Sequence, residues 1–115
     1  LMGAFVDLLI EQGATFAEEF LLVDENGDAI DLTDYTARAT IKSAIGGNEL
    51  VTLTTENSGI TITPATGSIV LRISSDDTTA LTFNTGVYDL EIVDIGGDVT
   101  RVSSGAVTVS AEVTT

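Results

Sequence analysis

The chain has 115 residues, 43% hydrophobic but only 5% aromatic, so its core has to be assembled from Val, Ile, Leu and Ala. It has no Cys and no His, which excludes disulfides and thiolate chemistry and removes the commonest general base and transition-metal ligand. Eighteen acids against four basic residues give a formal net charge of −14, a field that repels nucleic acid and anionic membrane, favours solubility, and suits a basic partner or divalent cations.

Any catalysis would have to rely on Asp, Glu, Ser, Thr, Tyr or Lys42. The length fits one domain spanning 1–115. No apolar run approaches the ~20 residues of a membrane span. The opening Leu1-Met2-Gly3-Ala4-Phe5 has neither a basic lead-in nor a small-residue cleavage site, so no secretory signal is expected there.

Phe5-Val6-Asp7-Leu8-Leu9-Ile10 is short and apolar and precedes Gln12-Gly13, which favours a strand. In 15–23, Phe16, Phe20 and Leu22 share one parity with Glu18, which breaks the pattern. A bulge or a place at the sheet rim would accommodate that acid. A helix over 14–23 competes, but the hairpin signal Asp24-Glu25-Asn26-Gly27-Asp28 follows directly and favours a strand. Ala29-Ile30-Asp31-Leu32 would return from the hairpin, and a polar loop through Tyr35 would drop Leu32 and Tyr35 into the edge of the core.

Thr36-Ala37-Arg38-Ala39-Thr40-Ile41-Lys42 alternates cleanly, with Ala37, Ala39 and Ile41 inward. Two inward alanines predict close approach by another element. Strands follow at 50–54, 60–63 and 68–73, the last two separated by the tight turn Pro64-Ala65-Thr66-Gly67. Ile69, Leu71 and Ile73 face in. Ser74 can cap a helix of one or two turns with Asp76 and Asp77 in its first turn, and Leu81 and Phe83 should plug that end of the fold. In Gly86-Val87-Tyr88-Asp89-Leu90-Glu91-Ile92-Val93-Asp94, Tyr88, Leu90 and Ile92 face in and the acids face out. After Gly96-Gly97-Asp98, the residues Val107, Val109, Ala111 and Val113 alternate. Val102 lies on the opposite parity, which predicts a bulge near Ser104-Gly105. Seven to nine short strands with one short helical crossover define an all-β, two-layer antiparallel sandwich.

No catalytic constellation emerges, so an enzyme is not expected. Asp24, Asn26 and Asp28 offer oxygens at alternate positions, as a calcium loop does. The full loop pattern would need Gly and Glu where Ala29 and Tyr35 stand, so a plain hairpin is preferred and no metal or cofactor is assigned. Asp76 and Asp77 are explained by the helix start. Asp89, Glu91 and Asp94 read as a solvated face before they read as a cation stripe. Tyr88 resembles the tyrosine corner of immunoglobulin-like sandwiches, its hydroxyl bonding backbone nearby. Arg38 and Lys42 share an outer face, with Arg72 and Arg101 expected on neighbouring strands, either to pair with Asp89 or Glu91 or to contact a partner subunit.

Three stretches taken together carry a resemblance. They are Ile10-Glu11-Gln12-Gly13-Ala14-Thr15-Phe16, then Gly27-Asp28-Ala29-Ile30-Asp31-Leu32-Thr33-Asp34-Tyr35-Thr36-Ala37-Arg38, then Val87-Tyr88-Asp89-Leu90-Glu91-Ile92. The chain resembles small tailed-bacteriophage virion proteins and the N-terminal domain of phage baseplate upper proteins, in which a G-x-x-I-D-L-T-G-Y/A segment enters a strand and a Y-x-L-x-I unit comes late. It departs from that pattern at Asp34, where Gly is expected; positive φ is less comfortable for Asp, which leaves room for a different turn. The resemblance implies an immunoglobulin-like antiparallel β-sandwich without enzymatic activity. It implies a virion location after assembly in the host cytoplasm, with other phage structural proteins as partners and symmetric homo-oligomers or repeated copies in the particle. Neither nucleic acid nor membrane is an expected partner. Edge strands at 5–10 or 106–113 would join neighbouring sheets, and a partner would cover the apolar 1–5. The alternative class is a surface adhesin or carbohydrate-binding module, calcium-dependent if Asp24–Asp28 holds an ion.

Overall fold

A strand that alternates apolar and polar residues must cover its dry face with a second layer, and two such layers form here. The computed structural model describes residues 4–114; of the opening segment discussed above, Leu1, Met2 and Gly3 lie outside them. The described strands are β1 (Ala4–Phe5), β2 (Leu8–Glu11), β3 (Phe16–Leu21), β4 (Thr36–Lys42), β5 (Glu49–Thr54), β6 (Ile60–Thr63), β7 (Ser68–Ile73), β8 (Thr85–Val93) and β9 (Val99–Ser110), with one short helix, α1 (Ser75–Thr79), between β7 and β8. One sheet runs in the order β1/β2–β9–β8–β4–β5 and the other in the order β3–β7–β6. The chain changes layer four times, at β2–β3, β3–β4, β5–β6 and β7–β8. The result is an all-β, two-layer sandwich.

The core follows the alternation. Ala37, Ala39 and Ile41 of β4, Ile69, Leu71 and Ile73 of β7, and Tyr88, Leu90 and Ile92 of β8 are all buried. Leu32 is buried from the loop before β4, and Tyr35, Leu81 and Phe83 pack half-buried against the same cluster. The closest backbone approaches between layers bring β4 to β6 and β2 to β3; small alanines on β4 are what permit the first of these.

Several sequence expectations change. The first sheet is mixed, because β1 and β2 run parallel to β9, with Leu8 opposite Val107 and Ile10 opposite Val109. Consequently β9 pairs on both sides, and the expected free edge at 106–113 does not exist. Ala111 and Val113 are exposed, since β9 ends at Ser110, where its partner β2 also ends. The bulge falls at Val102, not near Ser104-Gly105: Leu90 faces Ser103 and Glu91 faces Arg101, leaving Val102 unopposed. This shift turns Ser103 inward to meet Tyr88. Gly105 serves another end. A Cβ there would stand 2.4 Å from the Val6 carbonyl oxygen, so only glycine lets the amino-terminal strand approach β9 this closely. β3 pairs with β7 without a bulge, and half-buried Glu18 is tolerated because β3 is the outermost strand of its sheet. The return from the Asp24–Asp28 hairpin is a single bridge, Val23 to Ala29, and forms no strand.

Asp34 adopts φ +66°, the left-handed conformation that glycine takes without steric cost. The Tyr35 N–H donates to the Leu32 carbonyl across this turn. Just before it, the Thr33 hydroxyl and N–H donate to Asp31 and hold its carboxyl below the usual carboxylate range. Substituting Asp34→Gly is expected to stabilise the fold by roughly 0.5 kcal/mol, about 1 kcal/mol of relieved strain less the larger chain entropy of glycine. Urea unfolding measures it, and an unchanged or lowered midpoint would contradict strain at this position.

Candidate functional site

Asp24, Asn26 and Asp28 come together in a tight hairpin tip. One oxygen of Asp24, Oδ1, accepts the N–H groups of Asn26 (2.9 Å) and Asp28 (3.0 Å). The Asp24 N–H donates to the Asp28 carbonyl, and the Gly27 N–H donates to the Asp24 carbonyl. The same device recurs in Asp94-Ile95-Gly96-Gly97-Asp98. Asp94 Oδ1 accepts the Asp98 N–H (2.9 Å), the Asp94 N–H donates to the Asp98 carbonyl, and the Gly97 N–H donates to the Asp94 carbonyl. Gly27 and Gly97 both take left-handed φ, +84° and +90°, so Asp-x-x-Gly-Asp is a local turn code used twice. Replacing Asp24 by Ala is expected to cost about 1 kcal/mol in chelator-treated buffer, because the bonds lost are to backbone; thermal melting in EDTA measures it.

Asp76 and Asp77 occupy the first turn of α1, and the Asp77 N–H donates to the Ser74 hydroxyl at 3.2 Å. The helix is anchored by two residues that periodicity did not single out. Thr78 is completely buried; its hydroxyl accepts the Gly13 N–H (3.1 Å) and lies 2.8 Å from the Ala14 carbonyl and 3.1 Å from the Ser75 carbonyl. The Gln12 side-chain amide donates to the Thr79 and Leu81 carbonyls and accepts the Glu112 N–H. A threonine on a five-residue helix gives no sequence signal for such a role.

Tyr88 is buried, with its hydroxyl donating to the Val6 carbonyl and lying 2.9 Å from the Ser103 hydroxyl. The expected bond to backbone is present, but its acceptor lies 82 residues away in sequence. A tyrosine corner reaches a few residues upstream; this one ties the amino-terminal strand to the core. Asp7 Oδ1 accepts the Ala106 N–H at 3.0 Å and fills the gap in pairing where β1 gives way to β2.

The outer face of the larger sheet carries most of the basic residues. Arg38, Glu91 and Arg101 form one row across β4, β8 and β9; Thr40, Asp89 and Ser104 form the next; Lys42, Val87 and Ala106 form a third. Arg38 Nε pairs with Glu91 Oε1 at 2.8 Å, an exposed contact worth a few tenths of a kcal/mol. Asp94 lies past the end of β8 in its own turn, so Asp89, Glu91 and Asp94 do not converge. Arg72 belongs to β7 in the opposite sheet and is not a neighbour of Asp89 or Glu91. Among the described residues, no three acids gather as a metal-holding group, and no helix is long and apolar enough to cross a membrane.

Between these rows and the β4–β5 loop runs an open groove of about 660 Å³, with Val87, Thr40, Lys42, Asp89, Arg101 and Ser104 among its lining. Phe5 and Ile45 rim it, 91% and 96% exposed. Ile45 had no sequence signal, being one apolar residue in a polar turn.

No protein-family model matches this sequence, and no curated protein matches it significantly.

Proposed function

We propose that the chain is a non-enzymatic structural protein of a tailed-bacteriophage particle, joining other particle subunits as a tail or baseplate adaptor or as a head-decoration module. Asp34 carries this reading. The phage virion pattern that 27–38 resembles places glycine at this position, and here Asp34 takes the left-handed conformation that glycine favours. A departure in residue type thus coexists with the backbone that the pattern calls for, which supports the resemblance.

The mechanism is surface complementarity on a rigid block. β3, β5 and β6 each end a sheet, and the β1/β2 segment ends the larger one; their outward N–H and C=O groups can extend a neighbour's sheet. A strongly acidic exterior favours protein partners over nucleic acid or anionic membrane. Repeated copies in the virion, assembled in the host cytoplasm, follow from such a role.

The test is quantitative mass spectrometry of purified particles together with capture of particle proteins by the tagged chain. The chain is expected at a fixed copy number per particle, with one capsid or tail protein retained. Its absence from particles, with binding of the isolated chain to cells or glycans in calcium, would replace this reading with the adhesin or carbohydrate-binding one.

A further inference from the structure

We infer that the outer face of the β9–β8–β4–β5 sheet is a self-association surface that seats a second copy of this chain in a twofold, face-to-face dimer. The charge distribution singles it out. Arg38, Lys42 and Arg101 lie on this face with Glu49, Asp89 and Glu91. It therefore holds three of the four basic residues and three of the 18 acids. The remainder of the chain keeps 15 acids and, as its one basic residue, Arg72. The outer face of the smaller sheet is also neutral but carries only Glu19 and Arg72, so it lacks the array of mixed charges that can pair across an interface. Two copies meeting through the face of the larger sheet bring a neutral, mixed-sign lattice against its own image.

The arrangement is also suited to a twofold axis. The acids Asp89 and Glu91 run down β8, with cations on both sides, Arg38 and Lys42 on β4 and Arg101 on β9. A twofold axis running between β8 and β4 sets Glu91 of each copy against Arg38 of the other and leaves Asp89 within reach of the flanking cations, the self-complementary pattern of an isologous interface. Phe5 and Ile45 stand fully exposed at opposite margins of the groove, and Val99, half-exposed, borders Phe5 and Arg101. These supply apolar anchors around a floor containing Val87. The face is four strands wide and seven residues long along β4. At ordinary strand spacing and rise it measures about 19 by 23 Å. Two copies together bury on the order of 900 Å², the size of a weak, transient interface. A micromolar dimer is the expectation.

This surface is independent of the assembly role proposed above, and its test needs no particle. Analytical ultracentrifugation of the chain is run across roughly 5 to 500 µM, the range in which an interface of this size dissociates. Wild type is expected to pass from monomer to dimer. The double variant Phe5→Ser, Ile45→Ser changes two side chains outside the core and is expected to stay monomeric with an unchanged circular dichroism spectrum. Two charge reversals supply the decisive arm. Lys42→Glu with Arg101→Glu makes the face acidic; Asp89→Lys with Glu91→Lys makes it basic. Each is expected to be monomeric alone, and their equimolar mixture is expected to dimerise. Wild type that stays monomeric throughout, reversal variants that self-associate like wild type, or a mixture that remains monomeric would overturn the proposal.

Discussion

Tyr88→Phe is expected to lower stability by about 2 kcal/mol, a large effect for the loss of one oxygen. The ring stays, so the apolar contacts of the core persist. What disappears is the donor to the Val6 carbonyl and the partner of the buried Ser103 hydroxyl. Both groups sit where water does not readily replace the bond, and an unpaired buried polar group costs more than a made bond contributes. Hydrogen exchange should localise the damage, with amides of 4–11 losing protection while those of β7 and β8 change little.

The pH dependence gives a second readout. Burial pushes the Tyr88 phenol above its ordinary range; the hydrogen bond with Ser103 opposes this, and the charges of Glu18 and Asp7 add to it. The folded state therefore holds this proton more tightly than the unfolded chain does. Its contribution is complete below the unfolded pKa of about 10 and is lost as pH rises through the higher folded value. Denaturant titrations between pH 9 and 11 should show a steeper alkaline decline for wild type than for Tyr88→Phe. Equal slopes would show that the hydroxyl is not held as described.

Thr78→Val is expected to cost about 2 to 3 kcal/mol, or roughly 10 °C in melting temperature for a chain of this size. The shape is conserved, so no cavity explains the loss. The Gly13 N–H and the Ala14 carbonyl both lose the hydroxyl that joins them to α1. Thr78→Ser keeps the hydroxyl and should recover most of the stability. If Ser and Val variants melt together, packing of the methyl group matters more than the bonds. Because α1 is only five residues long, it has little stability of its own, and undocking it should also loosen Leu81 and Phe83.

Alternation along single strands was the part of the architecture legible in the sequence. Ala37, Ala39, Ile41, Ile69, Leu71, Ile73, Tyr88, Leu90 and Ile92 all declare their facing by period two, and each is buried as expected. Relations between strands were not legible, because a parity says which face a residue takes but not which neighbour it meets. The parallel pairing of β2 with β9 rests on contacts about 100 residues apart, and nothing local in Leu8-Leu9-Ile10-Glu11 encodes direction. The bulge at Val102 is visible as a change of parity, but its position goes with Ser103 meeting Tyr88 of the neighbouring strand, which no local pattern encodes. Asp24, Asn26 and Asp28 announce a turn in the sequence, whereas Gly96-Gly97-Asp98 marks the second turn without revealing the part played by Asp94. At the candidate surface, periodicity turns Arg38 and Lys42 outward on one strand and Asp89 and Glu91 outward on another, but that the four share one face follows from the pairing of β4 with β8. The placement of Arg101 beside them and of Arg72 away from them required the sheet order.

The parallel pairing of β2 with β9 has a mechanical consequence. These two strands lie side by side and point the same way, so tension applied along them would pull them lengthwise past each other. The ladder from Leu8 to Glu11, the Asp7–Ala106 contact and the Tyr88 hydroxyl tether would then bear the load together instead of peeling one by one, and rupture would require their concerted failure.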